Sequence, residues 1–147
     1  MRASRVVAAD AIAESARILG HHPVAMDREL VVEPGPSVAL QTDPLLLGRV
    51  LGNLLKNALE AVPRGGVVTV SHAIADDDVV FRVHNPGEVA PEVRHHLFER
   101  SVSTKGAGRG LGTYSVRLFT EKYLGGRLAW SSSAAAGTTV KVALPRT

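Results

Sequence analysis

Asn53 and Asn57 lie four residues apart in the run Asn53-Leu54-Leu55-Lys56-Asn57-Ala58. Asparagine is a middling helix former because its side chain competes for backbone hydrogen bonds. Two of them inside one helix therefore need a reason. Their spacing places both on one helix face, beside the apolar stripe and not opposite it. Two amide oxygens so placed can hold a hydrated Mg²⁺ and, through it, a phosphate chain. Lys56 and Arg49 stand close enough on the same helix to add charge. The same spacing also fits a pair of solvated positions on an amphipathic helix. A second segment, Lys105-Gly106-Ala107-Gly108-Arg109-Gly110-Leu111-Gly112, has glycine at alternate positions just before a helix. Glycine lets a backbone approach a ligand closely, and the free N–H groups of a helix start attract phosphate. The order is not that of a P-loop, and the segment follows a loop, which a Rossmann turn does not. A flexible surface connection is its other reading. Third, His84-Asn85-Pro86-Gly87 ends a strand: either a polar side chain there reads a base edge, or the run is an Asn-Pro-Gly turn beside a surface histidine.

The elements that must position these residues are legible in turn. Residues 5–19 read as a short helix stopping at Gly20, with His21-His22-Pro23 beyond. Leu30–Val32 and Val38–Leu40 read as short strands around Glu33-Pro34-Gly35-Pro36. Asp43 and Pro44 open the clearest helix, as N-cap and first helical residue. Leu47, Val50, Leu51, Leu54, Leu55, Ala58 and Val62 follow at three- and four-residue steps, and Pro63-Arg64-Gly65-Gly66 ends the run. Val67–Ala73 and Val79–Val83 read as a hairpin through Asp76-Asp77-Asp78. A short helix is predicted from Pro91 to Leu97, a mobile loop over 101–112, a second long helix from about Leu111 to Leu124, and strands over 127–131 and 138–144. Such blocks suggest an α+β sandwich with a mixed, mostly antiparallel sheet.

Composition narrows the function class. The chain has 147 residues, 45% apolar and 21% charged, enough for one globular domain with a real core. Without cysteine it has neither a disulfide framework nor a thiolate metal site. No apolar run approaches the roughly 20 residues of a membrane span. The opening residues, with Arg2, Arg5 and an early glutamate, do not read as a secretory signal. A net charge of +3 suits a phosphate-bearing ligand or an acidic partner but is too small to point to nucleic acid. Direct contact with a membrane is not expected either.

The order of these motifs resembles the catalytic and ATP-binding domain of two-component sensor histidine kinases, in the superfamily shared with gyrase B, Hsp90 and MutL. The matching features are N-L-x-x-N-A on a helix, a hairpin, a polar-Gly break, Leu97-Phe98-Glu99, a Ser/Thr/Lys loop, G-x-G-L-G, a helix ending in Gly-Gly, and Gly137-Thr138-Thr139 before the last strand. They span residues 27–145. The resemblance implies a Bergerat fold, a two-layer α/β sandwich with helices on one sheet face and a mobile ATP lid. Residues 1–25 are then expected as a connector or the tail of a preceding dimerisation domain, and 26–147 as the catalytic domain.

The resemblance also implies roles. Asn57 matches the Mg²⁺-binding asparagine, and Asn53 the position where ATPases of the superfamily carry a glutamate base. An amide is no useful proton acceptor, so transfer to a partner is favoured over hydrolysis. Leu97-Phe98-Glu99 resembles the start of the lid. Ser103, Thr104 and Lys105 fall within it, with Lys105 within reach of the terminal phosphate and so, with the two asparagines, expected in catalysis. Gly106, Gly108, Gly110, Leu111 and Gly112 fall on the phosphate side, and Thr138 on the threonine that positions adenine through water. One departure stands out. The D-x-G-x-G motif, whose aspartate accepts from the adenine amino group, has no aspartate here. Counting back from Leu97 puts His84 on that position, with Pro86 and Glu88 on the glycines; a shift of one puts Asn85 there. Either side chain offers an acceptor without charge, at a cost of about 1 kcal/mol or more in affinity. Neither His21-His22 nor His95-His96 resembles a phosphoacceptor. The expected partners are thus ATP, the dimerisation and histidine-phosphotransfer domain of the same protein, and a response regulator receiver, in the cytoplasm. Two other functions fit the fold: an anti-sigma-factor serine kinase, and a degenerate interaction module lacking catalysis.

Overall fold

The computed structural model describes residues 2–90 and 114–147. Among the described residues seven strands are formed: β1 (Ser4–Val7), β2 (Glu29–Val32), β3 (Ala39–Thr42), β4 (Val67–Ala75), β5 (Asp78–Asn85), β6 (Arg127–Ser133) and β7 (Gly137–Pro145). Helix α1 covers Ala8–Gly20 and α2 covers Pro44–Ala61. A third helix, α3, is described over residues 114–123, its last turn, Phe119–Tyr123, wound as a π-helix. The main sheet has the order β2-β4-β5-β7-β6, parallel between β2 and β4 and antiparallel elsewhere. The helices pack on one face of it. This is the two-layer α/β sandwich that the sequence predicts.

Helix α2 forms where capping and periodicity agree. Asp43 Oδ1 accepts from the N–H groups of Leu45 and Leu46 at 2.9 and 3.2 Å, satisfying donors that a helix start leaves free. Asp43 Oδ2 accepts from the Arg2 N–H at 2.9 Å. That donor first, and Leu46 second, hold the Asp43 carboxyl below the usual carboxylate range. Leu47, Val50, Leu51, Leu54, Leu55, Ala58 and Leu59 are buried along one stripe of the helix. They pack on β4 and β5, whose alternate residues Val68, Val70, Val79, Phe81 and Val83 are buried beneath them. At the other end the Arg28 guanidinium donates to Val62 O at 2.9 Å and to Val24 O at 3.1 Å, tying the end of α2 to the entry of β2.

The amino-terminal residues differ from expectation. Arg5, Val6 and Val7, predicted as the start of a helix, form strand β1 and pair antiparallel with β3. The β-branched pair Val6-Val7 suits a strand, and Ala8 N–H then donates to Val38 O as the helix begins. Residues 8–20 do form the predicted helix. From helix α1, Ala8, Ile12 and Leu19 are buried in the same core as α2. The segment Glu33-Pro34-Gly35-Pro36 does not join paired strands, since β2 runs beside β4 and β3 beside β1. The prolines lack the N–H groups that a hairpin ladder needs. Predicted features over residues 91–113, including the short helix, the lid and the glycine segment, lie outside the described residues.

Candidate functional site

Three adjacent strands turn from apolar to polar at one level of the sheet. On β5 the inward residues run Val79, Phe81, Val83 and then Asn85. On β7 they run Leu144, Val142, Val140 and then Thr138. On β6 they run Leu128, Trp130 and then Ser132. Asn85 pairs with Thr138, and Thr138 with Ser132, so the three polar side chains form one row. All are buried, at 7%, 7% and 4% exposure. Polar groups in such a place need partners. The Thr138 hydroxyl donates to Gly87 O at 2.8 Å. A hydroxyl has one proton, so the 2.8 Å contact between Ser132 Oγ and Thr138 Oγ1 has Ser132 as donor. Ser132 Oγ in turn accepts from the Val89 N–H at 2.7 Å. A directional relay therefore runs from Val89 through Ser132 and Thr138 to Gly87.

Asn85 and His84 point to opposite sides of the sheet, because successive strand residues alternate. Asn85 faces the helices. Its Nδ2 donates to Pro86 O at 2.8 Å, which leaves Oδ1 as the acceptor it presents. His84, the alternative reading of this position, faces the other side, where its Nε2 bonds Ala136 O at 2.8 Å. Gly87, two residues after Asn85, has φ +101°, a conformation that favours glycine. Gly137 starts β7 with φ +80°, and a Cβ there would lie 2.5 Å from Asn85 O and 2.9 Å from His84 Nε2. Its lack of a side chain lets β7 close on the end of β5.

Asn53 and Asn57 are half-buried on one flank of α2. Gly52, on the other flank, faces α1, where a Cβ would meet Leu19 Cδ2 at 4.0 Å. Asn57 is about 140° round the helix from Gly52. Since α1 packs on β2 and β4, and α3 on β6, the asparagine flank faces the half of the sheet that carries the polar row. Asn57 has a polar partner of its own. Lys56 is half-buried and Arg49 exposed toward the outer side of α2. Thr138, expected beside a water, has its proton committed to Gly87 O and can only accept further. Ser132 is not singled out by the sequence analysis, and Gly137 only as the first residue of the Gly137-Thr138-Thr139 motif, although Leu128, Trp130 and Ser132 share the period-two alternation that marks the inner face. Lys105, Gly106, Gly108, Gly110, Leu111 and Gly112 lie outside the described residues. Among the described residues no helix is long and apolar enough to cross a membrane.

Known proteins share this sequence pattern and fold. Residues 42–147 match the family model for histidine kinase-, DNA gyrase B- and HSP90-like ATPases. The sensor protein IrlS of Burkholderia pseudomallei is 32% identical over 124 residues, covering 79% of this chain and 27% of IrlS. The mycobacterial sensor histidine kinase MprB has a solved structure that aligns with TM-score 0.82 at 27% identity, over 97% of each chain. The histidine kinase ThkA, solved in complex with the response regulator protein TrrA, shares the fold with TM-score 0.83 at 20% identity, over 99% of this chain and 42% of that one. The chain spans about a quarter of the length of the curated relatives it matches. With the family model covering well over half its length, the chain belongs to the histidine kinase-, DNA gyrase B- and HSP90-like ATPases.

Proposed function

We propose that this chain binds Mg·ATP between the Asn53/Asn57 flank of α2 and the polar row of the sheet, and serves as the catalytic domain of a sensor histidine kinase. The observation that carries the reading is the row itself: a buried acceptor, Asn85 Oδ1, ends the apolar face on the side that Asn57 faces. An apolar wall closed by one convergent acceptor suits adenine, which pairs a flat ring with an exocyclic amine. In this reading Asn85 takes the place of the motif's aspartate and Gly87 that of its first glycine, while His84 takes no part. The Pro86 carbonyl sets the orientation, because turning the amide over would lose the bond from Nδ2.

Asn57 would hold Mg²⁺ through its amide oxygen, and Asn53 would add a polar group along the phosphates, while Lys56, about 100° round the helix from Asn57, adds its charge only at longer range. Lys105 and the glycines Gly106, Gly108, Gly110 and Gly112, with Leu111, keep the phosphate-side roles that the family resemblance implies. Mg·ATP, when bound, supplies the transferable γ-phosphoryl group. The chain's own part is positioning and charge stabilisation. An amide at position 53 accepts no proton at neutral pH, so it activates no water. The nucleophile then comes from elsewhere, a histidine on a separate dimerisation domain. A response regulator follows as the next acceptor, by analogy with ThkA, and the cytoplasm as the compartment. The test is transfer of label from γ-labelled ATP to a supplied dimerisation domain. Acid-labile phosphohistidine is the expected product. Phosphoserine, or no transfer by a chain that binds ATP, contradicts this reading.

A further inference from the structure

We propose that Ser132 is a positioning residue for nucleotide binding, acting through the turn at residues 85–89. The inference rests on the reading of Asn85 as the adenine contact. Asn85 is held by its own strand only as far as its pairing with Thr138, the last pair of the β5–β7 ladder. Beyond it the chain leaves the sheet through Pro86, which donates nothing, and Gly87, which has φ +101° and no side chain to pack. Two of the bonds that hold this stretch run to the neighbouring strands β7 and β6. Gly87 O accepts from Thr138, and the Val89 N–H donates to Ser132 Oγ.

Ser132 is the element that joins the two anchors. It accepts from Val89 and donates to Thr138, so the Thr138 proton is left for Gly87 O. An alanine at 132 removes the acceptor for Val89 and the donor that orients Thr138, while taking away only one oxygen from a site 4% exposed. The Pro86 carbonyl, which sets the Asn85 amide, lies between the last pair of the ladder and the Gly87 anchor. Ser132 thus governs how well the Asn85 acceptor is presented, without itself reaching the ligand.

The experiment compares wild type, Ser132→Ala and Ser132→Thr in the whole chain. Mg·ATP affinity is read by calorimetry under conditions where all are folded, and exchange of the Val89 amide by NMR. Ser132→Ala is expected to weaken Mg·ATP about tenfold, the worth of one lost hydrogen bond. Its Val89 amide should exchange faster while the amides of the β5–β7 ladder keep their protection. Ser132→Thr keeps the hydroxyl and should restore both. If Ser132→Ala binds Mg·ATP within twofold of wild type, or Ser132→Thr binds as weakly as Ser132→Ala, the positioning role is overturned. Failure of the wild-type chain to bind any nucleotide removes the functional reading, and this inference with it.

Discussion

Replacing Gly137 by alanine should cost both stability and nucleotide affinity, and the structure gives the size. Gly137 has φ +80°, which costs a residue with a Cβ roughly 1–2 kcal/mol. The added Cβ would also meet Asn85 O at 2.5 Å, His84 Nε2 at 2.9 Å and Pro86 Cα at 3.1 Å. Two of these three are backbone atoms, so no rotamer change relieves them. Overpacking of this kind typically adds 1–3 kcal/mol, for a total of about 3 kcal/mol. Gly65 provides the control. Its φ is +87°, but a Cβ there meets nothing within 4 Å, so Gly65→Ala should cost about 1 kcal/mol. Urea unfolding read by far-UV circular dichroism and by the single tryptophan, Trp130 on β6, measures both variants. If Gly137→Ala costs no more than Gly65→Ala, the close approach of β7 to the end of β5 is not what the glycine serves.

Three further outcomes are expected. Asn85→Leu should weaken Mg·ATP by about 1–2 kcal/mol through loss of the buried acceptor, whereas His84→Ala should leave affinity within twofold; calorimetry showing the reverse would move the adenine contact to His84. The Asp43 carboxyl, held low by the N–H groups of Arg2 and Leu46, favours the folded state above the ordinary aspartate range and loses that contribution as pH falls through its folded value. Urea midpoints should therefore fall more steeply below about pH 4 in the wild type than in Asp43→Asn; parallel curves would deny the cap its role. Asn53→Glu restores a proton acceptor beside the phosphates and should raise ATP hydrolysis without a partner domain, measured as released phosphate; unchanged hydrolysis would count against the placing of residue 53.

The sequence carried more of the helix layer than of the sheet. Helix α2 was legible from end to end because Asp43, Pro44 and an unbroken stripe of leucine and valine all speak for one element. The hairpin of β4 and β5 was legible for the same reason. Strand β1 was not, since Val6-Val7 is too short to show a period and its partner β3 lies more than thirty residues away. The asparagine pair stood out because polar residues are costly inside a helix. Ser132 did not, because a serine among three serines gains meaning only when β6 is registered against β7. Which of the adjacent residues His84 and Asn85 faces the helices is likewise not decided by motif counting, whereas strand alternation decides it.

The most direct test of the account is a calorimetric titration of the chain with Mg·ATP, beside Asn57→Ala. Micromolar binding is expected for the wild type. The variant should bind at least about tenfold more weakly while keeping its circular dichroism and unfolding midpoint, since a lost contact to a charged group is worth roughly 1.5–3 kcal/mol. No binding at millimolar nucleotide, or equal affinity of the two proteins, would contradict the site proposed between α2 and the polar row of the sheet.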